Sequence, residues 1–267
     1  MTDFLEYSFF RYAIAGVALI SLSAAIVGSY IISRRLVAIA GGITHACFGG
    51  LGLGYFLGVS PAAMAALFAV VSSAGVEWLS GHMRLREDSA IAVVWSLGMA
   101  MGVLFVFLTP GYVPELNSFL FGNILTISRT DLWLFAGFTA LLCLFFSLRF
   151  KQIVSVAFDP DFARVQKLPV RFISYTMTVF VAVCIVLTIR LVGVMLLMSM
   201  LSLPVMTAEV FCRRFAPMMF VSAAVSVVAG IAGLFVGAAI DVPCSAVIVL
   251  LLAAAFGIAH LIKLLIK

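Results

Sequence analysis

Residues 34–58 read RRLVAIAGGITHACFGGLGLGYFLG. A pair of arginines opens an apolar stretch of about the 20 residues that carry an α-helix across a bilayer. Seven of its residues are glycine, although glycine costs roughly 1 kcal/mol per residue relative to alanine in a helix interior. Near the middle stands His45, one of three histidines in the chain. An ionisable side chain at membrane depth is costly and is by default a functional position. The stretch predicts a membrane-embedded helix with unusual packing and a candidate site.

The rest of the chain agrees. It has 267 residues, 65% hydrophobic and 10% charged, with a mean hydropathy of +1.27, where a soluble domain carries about 25% charged residues. Its apolar runs are continuous and of helical length, unlike the weak alternation of barrel strands. The expected fold class is an all-α polytopic membrane protein. The basic balance, 16 Lys and Arg against 11 Asp and Glu, fits positive charge collected in cytoplasmic loops rather than a nucleic-acid partner. The five cysteines (Cys47, Cys143, Cys184, Cys212, Cys244) lack CxxC spacing and read as small buried apolar residues. The start, MTDFLEYSFFRYA, has acidic residues before its apolar run and does not read as a cleaved signal peptide.

Apolar runs fall at roughly 12–32, 36–57, 61–79, 90–108, 131–149, 172–190, 191–211, 215–238 and 243–264. That makes nine crossings, or eight if the division near Arg190 is only a bend. With nine crossings and an extracytoplasmic N-terminus, all 16 basic residues except Arg11, Arg129 and Arg190 lie inside, so the C-terminus is expected in the cytoplasm. The longest inter-helix segments are about 20 residues, too short for a soluble domain. A single transmembrane domain over 1–267 is expected, and any ATPase must come from another chain.

Two segments do not span. The outer one, PGYVPELNSFLFGNILTISRTD (110–131), holds an apolar piece suited to a re-entrant or interfacial half-helix. The inner one, VSVAFDPDFARVQKLPV (154–170), predicts a short cytoplasmic helix over 157–166. Asp159 caps it, Pro160 suits its first turn and Pro169 closes it. Phe158, Phe162 and Val165 would be apolar contacts for a partner; the alternative is a plain connecting loop.

His45 follows Arg35 by ten residues, about 15 Å along a helix and half of a core about 30 Å thick. Transporter substrate sites tend to lie at that depth, and imidazole suits zinc, manganese or iron. A packed histidine bonded to a backbone carbonyl is the other reading. The glycines at 50, 54 and 58 predict a smooth packing face, whereas Gly41-Gly42 could either pack or loosen the helix. Glu77 and Glu209 fall near cytoplasmic helix ends, His260 near the last one; Asp131, Asn117 and Asn123 accompany the outer segment, and His82 lies in a loop. No HExxH or GxSxG is present, so an intramembrane hydrolase is not supported.

The quoted stretch resembles the second-helix signature of the manganese, zinc and iron-chelate permeases of ABC importers. REDSAIAVVWSLGMAMGVL, SFLFGNILTIS and LVGVMLLMSMLSLPVMTA resemble, in order, three further blocks of that family. The resemblance implies an ABC importer permease fold in the plasma (inner) membrane of a bacterium. It implies a non-enzymatic subunit with no bound cofactor, passing zinc, manganese or iron by alternating access. The implied partners are cytosolic ATPase subunits, an extracytoplasmic metal-binding protein and a second permease copy forming a homodimer. AFDPDFARVQ is similar to the coupling helix, which assigns Phe158, Asp159, Asp161, Phe162, Ala163 and Val165 to ATPase docking. At one position the pattern departs. The family has an Asp four residues before the His; here it is Gly41. His45 alone carries over as a metal ligand in the translocation path. Either Glu209, Asp131 or Glu77 completes the set, or waters and carbonyls do, in a softer site tilted toward zinc or iron. The other functions in view are the same architecture carrying an iron chelate and a stand-alone secondary metal transporter. The latter is disfavoured by the absence of paired intramembrane charges.

Overall fold

The computed structural model describes residues 6–82, 86–110, 122 and 124–266. Most of the outer segment, including Asn117 and Asn123, lies outside the described residues, as does Arg84. The helices are α1 (Ser8–Ser33), α2 (Val37–Leu57), α3 (Pro61–His82), α4 (Glu87–Leu108), α5 (Arg129–Phe158), the short α6 (Pro160–Val165), α7 (Val170–Phe211), α8 (Phe215–Ala239) and α9 (Cys244–Ile266), with a 3-10 turn at Ile124–Thr126. All but α6 are long and apolar enough to cross a membrane, eight in all among the described residues.

Two boundaries differ from the sequence expectation. The fifth helix does not stop near residue 149. It is interrupted at Arg149 (φ −115°, ψ 16°) and continues to Phe158, because Ile153, Val156 and Ala157 give the extension a buried face at helical spacing. Phe158 is therefore the last residue of α5, and the short helix is Pro160–Val165 rather than 157–166. The division expected near Arg190 falls at Gly193 (φ 79°, ψ 171°) inside the 42-residue α7. That length amounts to about 63 Å of helix, enough for two crossings of a core about 30 Å thick. Such a dihedral pair is open essentially to glycine alone.

The chain forms two compact units. One comprises Met1–Ile32, Asn117–Leu148 and Leu191–Lys267. Its α1 is cemented by hydroxyls: Ser23 shares a 2.8 Å hydrogen bond with Thr139, and Ser226 donates to Ser21 at 3.0 Å. Phe10 meets Phe235 edge-on at 5.1 Å. Gly122 packs on the backbone of Val192 and Gly193, so the described end of the outer segment sits against the break in α7.

The other unit comprises Ser33–Leu116 and Arg149–Arg190, and here the glycines of α2 find their use. A Cβ at Gly49 would lie 2.8 Å from the Gly98 carbonyl oxygen of α4, and one at Gly52 would lie 2.7 Å from that of Gly102. Gly42 faces Ile91 of the same helix, while Gly50 and Gly54 lie against Met64 and Pro61 of α3. So α2 is in near-backbone contact with two neighbours, the close approach that small residues allow between membrane helices. Gly58 does not join that face. It ends α2 in the left-handed region (φ 68°), its N–H donating to the last turn, a glycine cap.

Candidate translocation and coupling sites

His45 is the ninth residue of α2 in an unbroken helix that begins just beyond Arg35. Its ring lies flat on the indole of Trp95 in α4, with centroids 4.5 Å apart and planes at 18°. That stack exists because α2 and α4 cross at glycine distance on both sides of it, at Gly42 on Ile91 and at Gly49 on Gly98. The imidazole is half-buried. One turn before it stands Gly41, also in α2 and buried, with no carboxylate to offer. The neighbouring Thr44 hydroxyl donates back to the Ala40 carbonyl at 2.6 Å, which satisfies it inside an apolar helix.

Among the described residues, no three or more His, Cys, Asp or Glu gather as a metal site. The acids considered from sequence are placed as follows. Asp131 accepts from the Ser128 hydroxyl at 2.6 Å, and its own N–H donates to Ser128 Oγ at 3.2 Å, a reciprocal cap at the start of α5. Glu209 is exposed near the end of α7. Glu77 faces Arg34, its Oε2 3.6 Å from the guanidinium. His260 is exposed on α9 against the ring of Phe256, at 4.6 Å, and His82 stacks on Trp78 at 5.5 Å. What the geometry offers at His45 is one imidazole backed by an aromatic face, with backbone nearby, suited to weak and passing contact with a cation.

The inner helix is built as its residues dictate. Asp159 Oδ1 accepts from the N–H groups of Asp161 at 3.1 Å and Phe162 at 2.9 Å, and Pro160 occupies the first helical position. Arg164 pairs with Asp161 at 2.6 Å across one turn. Only Ala163 is fully buried; it anchors the helix. Phe158, Phe162 and Val165 are 61%, 54% and 80% exposed. Apolar side chains so exposed at the end of α5 and along a capped, anchored helix are poor choices for solvent and good ones for a partner.

Sequence reading missed one arrangement. Arg34 looked like part of a basic loop edge, yet its side chain is only 7% exposed. It bonds Glu87 of α4 at 2.6 Å as well as facing Glu77 of α3. The signal was present in the two acids at the adjoining ends of α3 and α4, but their partner could not be assigned without the packing of α2.

The family model described as the ABC 3 transport family matches residues 6–263. An uncharacterised membrane protein of Synechocystis is 35% identical over 99% of this chain and 92% of its own length. The manganese transport system membrane protein MntC of Halalkalibacterium halodurans is 29% identical over 96% of this chain and 87% of its own. Among solved structures, PsaBC from Streptococcus pneumoniae in complex with Fab superimposes with a TM-score of 0.83 at 27% identity, over 97% of this chain and 94% of that one. An all-helical membrane protein with this order of blocks and these matches belongs to the ABC 3 transport family.

Proposed function

We propose that the chain is the membrane permease subunit of an ATP-driven importer of a divalent metal ion, with manganese the first candidate. The observation that carries this reading is the exposure of Phe158 at the end of α5 and of Phe162 and Val165 on the capped helix α6, in a chain of a transport family. A relative named for manganese transport supports the ion. Hydrolysis belongs to cytosolic ATPase subunits that dock on α6 and the end of α5. An extracytoplasmic binding protein delivers the ion, and a second membrane subunit, which a second copy of this chain can supply, completes the path. The site is in the bacterial inner membrane, with the N-terminus outside and the C-terminus inside.

In this scheme His45 is the side chain that meets the ion midway along α2. Gly41 makes the contact softer than a histidine–carboxylate pair, so passage rather than tight retention is expected. The test is accumulation of radiolabelled manganese by cells with and without the gene, with zinc, ferrous iron and an iron chelate as competitors. Loss of manganese uptake in the deletion, restored by the gene, is expected. Normal manganese uptake with lost chelate uptake would overturn the metal assignment.

A further inference from the structure

We propose that Arg34 is a positioning residue that carries the state of the docking helix α6 to α2, by sharing one guanidinium between Glu87 and Glu77. The proposal rests on the reading that α6 receives an ATPase.

Three features support it. The first is the uneven sharing. Arg34 holds Glu87 Oε1 at 2.6 Å and Glu77 Oε2 at 3.6 Å, with side-chain exposures of 7% for the arginine, 35% for Glu87 and 14% for Glu77. One cation thus serves two carboxylates on different helices, and one contact is short while the other is loose. The same Glu77 oxygen accepts from the Thr178 hydroxyl of α7 at 3.4 Å, so α7 competes for the acceptor that Arg34 holds least firmly.

The second is the stiffness of the connection from α6 to Thr178. Between α6 and α7 run only four residues, and the Leu168 N–H donates to the Ala163 carbonyl at 3.1 Å while Val170 N–H donates to Leu168 at 2.8 Å. With Ala163 fully buried, a push on α6 displaces the start of α7 and the Thr178 hydroxyl with it. At the far end, α2 begins three residues after Arg34 and runs unbroken through His45.

The third is room to move. A cavity of about 390 Å³ lies along this path. Arg34, Glu77 and Glu87 line it, and so do Pro160 and Arg164 of α6 and Arg171 of α7. Buried ion pairs are weak contributors to stability compared with apolar packing, and their best-attested use is in fixing register or switching. When α7 moves, Thr178 releases or tightens on Glu77, Arg34 shifts between its two acceptors, and α2 shifts as one body.

The experiment measures metal transported per ATP hydrolysed in vesicles holding the full complex with its ATPase, using manganese. Glu77→Gln, Arg34→Gln, Thr178→Val and the Glu77→Gln/Thr178→Val double variant are compared with wild type. Each single variant is expected to keep its ATPase through purification and to keep hydrolysing ATP. The transport ratio should fall about fivefold or more in Glu77→Gln and Arg34→Gln, the usual scale of an allosteric coupling. Thr178→Val, which leaves both charges paired and keeps the side-chain volume, should fall less, and the double variant should be no worse than Glu77→Gln alone. A merely structural role predicts lost assembly with an unchanged ratio. Wild-type ratios in Glu77→Gln and Thr178→Val, or losses that multiply in the double variant, would overturn the proposal. Absence of ATP-driven uptake in wild type would instead remove the reading on which it rests.

Discussion

At the scale of single residues, the chain is organised around an imidazole and a set of glycines. Counting from Arg35 located His45 in the middle third of a helix without any structure. Its stacking on Trp95 could not be read, because a contact between residues fifty positions apart depends on helix crossing and register. Trp95 gives a local reporter. In a chain carrying Trp78→Phe and Trp133→Phe, the remaining indole fluorescence should be quenched by manganese, and the quenching should disappear in His45→Ala. Quenching that persists in His45→Ala at the same concentration would take the ion away from this histidine. The glycines make a second claim. Gly52→Ala drives a methyl to 2.7 Å from the Gly102 carbonyl oxygen, and overpacking of that kind costs about 1–3 kcal/mol. Gly75→Ala on α3 meets nothing within 4 Å and gains up to about 1 kcal/mol of helix propensity. Thermal unfolding in detergent should separate the two; equal melting temperatures would contradict the close α2–α4 seam.

At the scale of elements, the punctuation read well where side chains act locally. Asp159 and Pro160 predict a helix start from two adjacent residues, and the cap is present. The extension of α5 past Arg149 was not legible, because Lys151 and Gln152 interrupt the apolar run although Ile153, Val156 and Ala157 retain helical spacing. Gly58 was assigned to a packing face by its spacing from Gly54, but whether a terminal glycine packs or caps depends on the backbone beyond it. Asp159→Ala removes the acceptor for two backbone N–H groups and should destabilise α6 by about 1 kcal/mol, visible as faster amide exchange over 161–165. Asp159→Arg combined with Phe162→Ala should abolish co-purification with the ATPase while leaving the amount of membrane-inserted chain unchanged. Intact assembly would sink the docking role of α6. Gly193→Ala forces a side chain into a backbone region that costs about 1–3 kcal/mol, and should lower the melting temperature accordingly.

At the scale of the molecule, composition established a membrane-embedded helical bundle, and motif order established the family. Chain-wide charge bias fixes the expected orientation: Arg213-Arg214 inside and the turn at Asp241 to Pro243 outside. In a cysteine-free background, a membrane-impermeant thiol reagent applied to intact cells should label Val242→Cys and spare Arg213→Cys; the reverse pattern would invert the topology. The ligand set at His45 stayed illegible for a physical reason. Gly41 removes the anionic ligand that the family pattern leads one to expect, and no cluster of His, Cys, Asp or Glu among the described residues replaces it. In the proposed mechanism the chain moves metal only when an ATPase acts through α6. The deciding measurement is manganese uptake into sealed vesicles that carry the chain with its ATPase inside and the binding protein outside, with ATP enclosed or withheld and with the Asp159→Arg/Phe162→Ala variant in parallel. Uptake that requires ATP and is lost in the variant is the predicted result. Equal uptake without ATP, or from vesicles holding this chain alone, would contradict it.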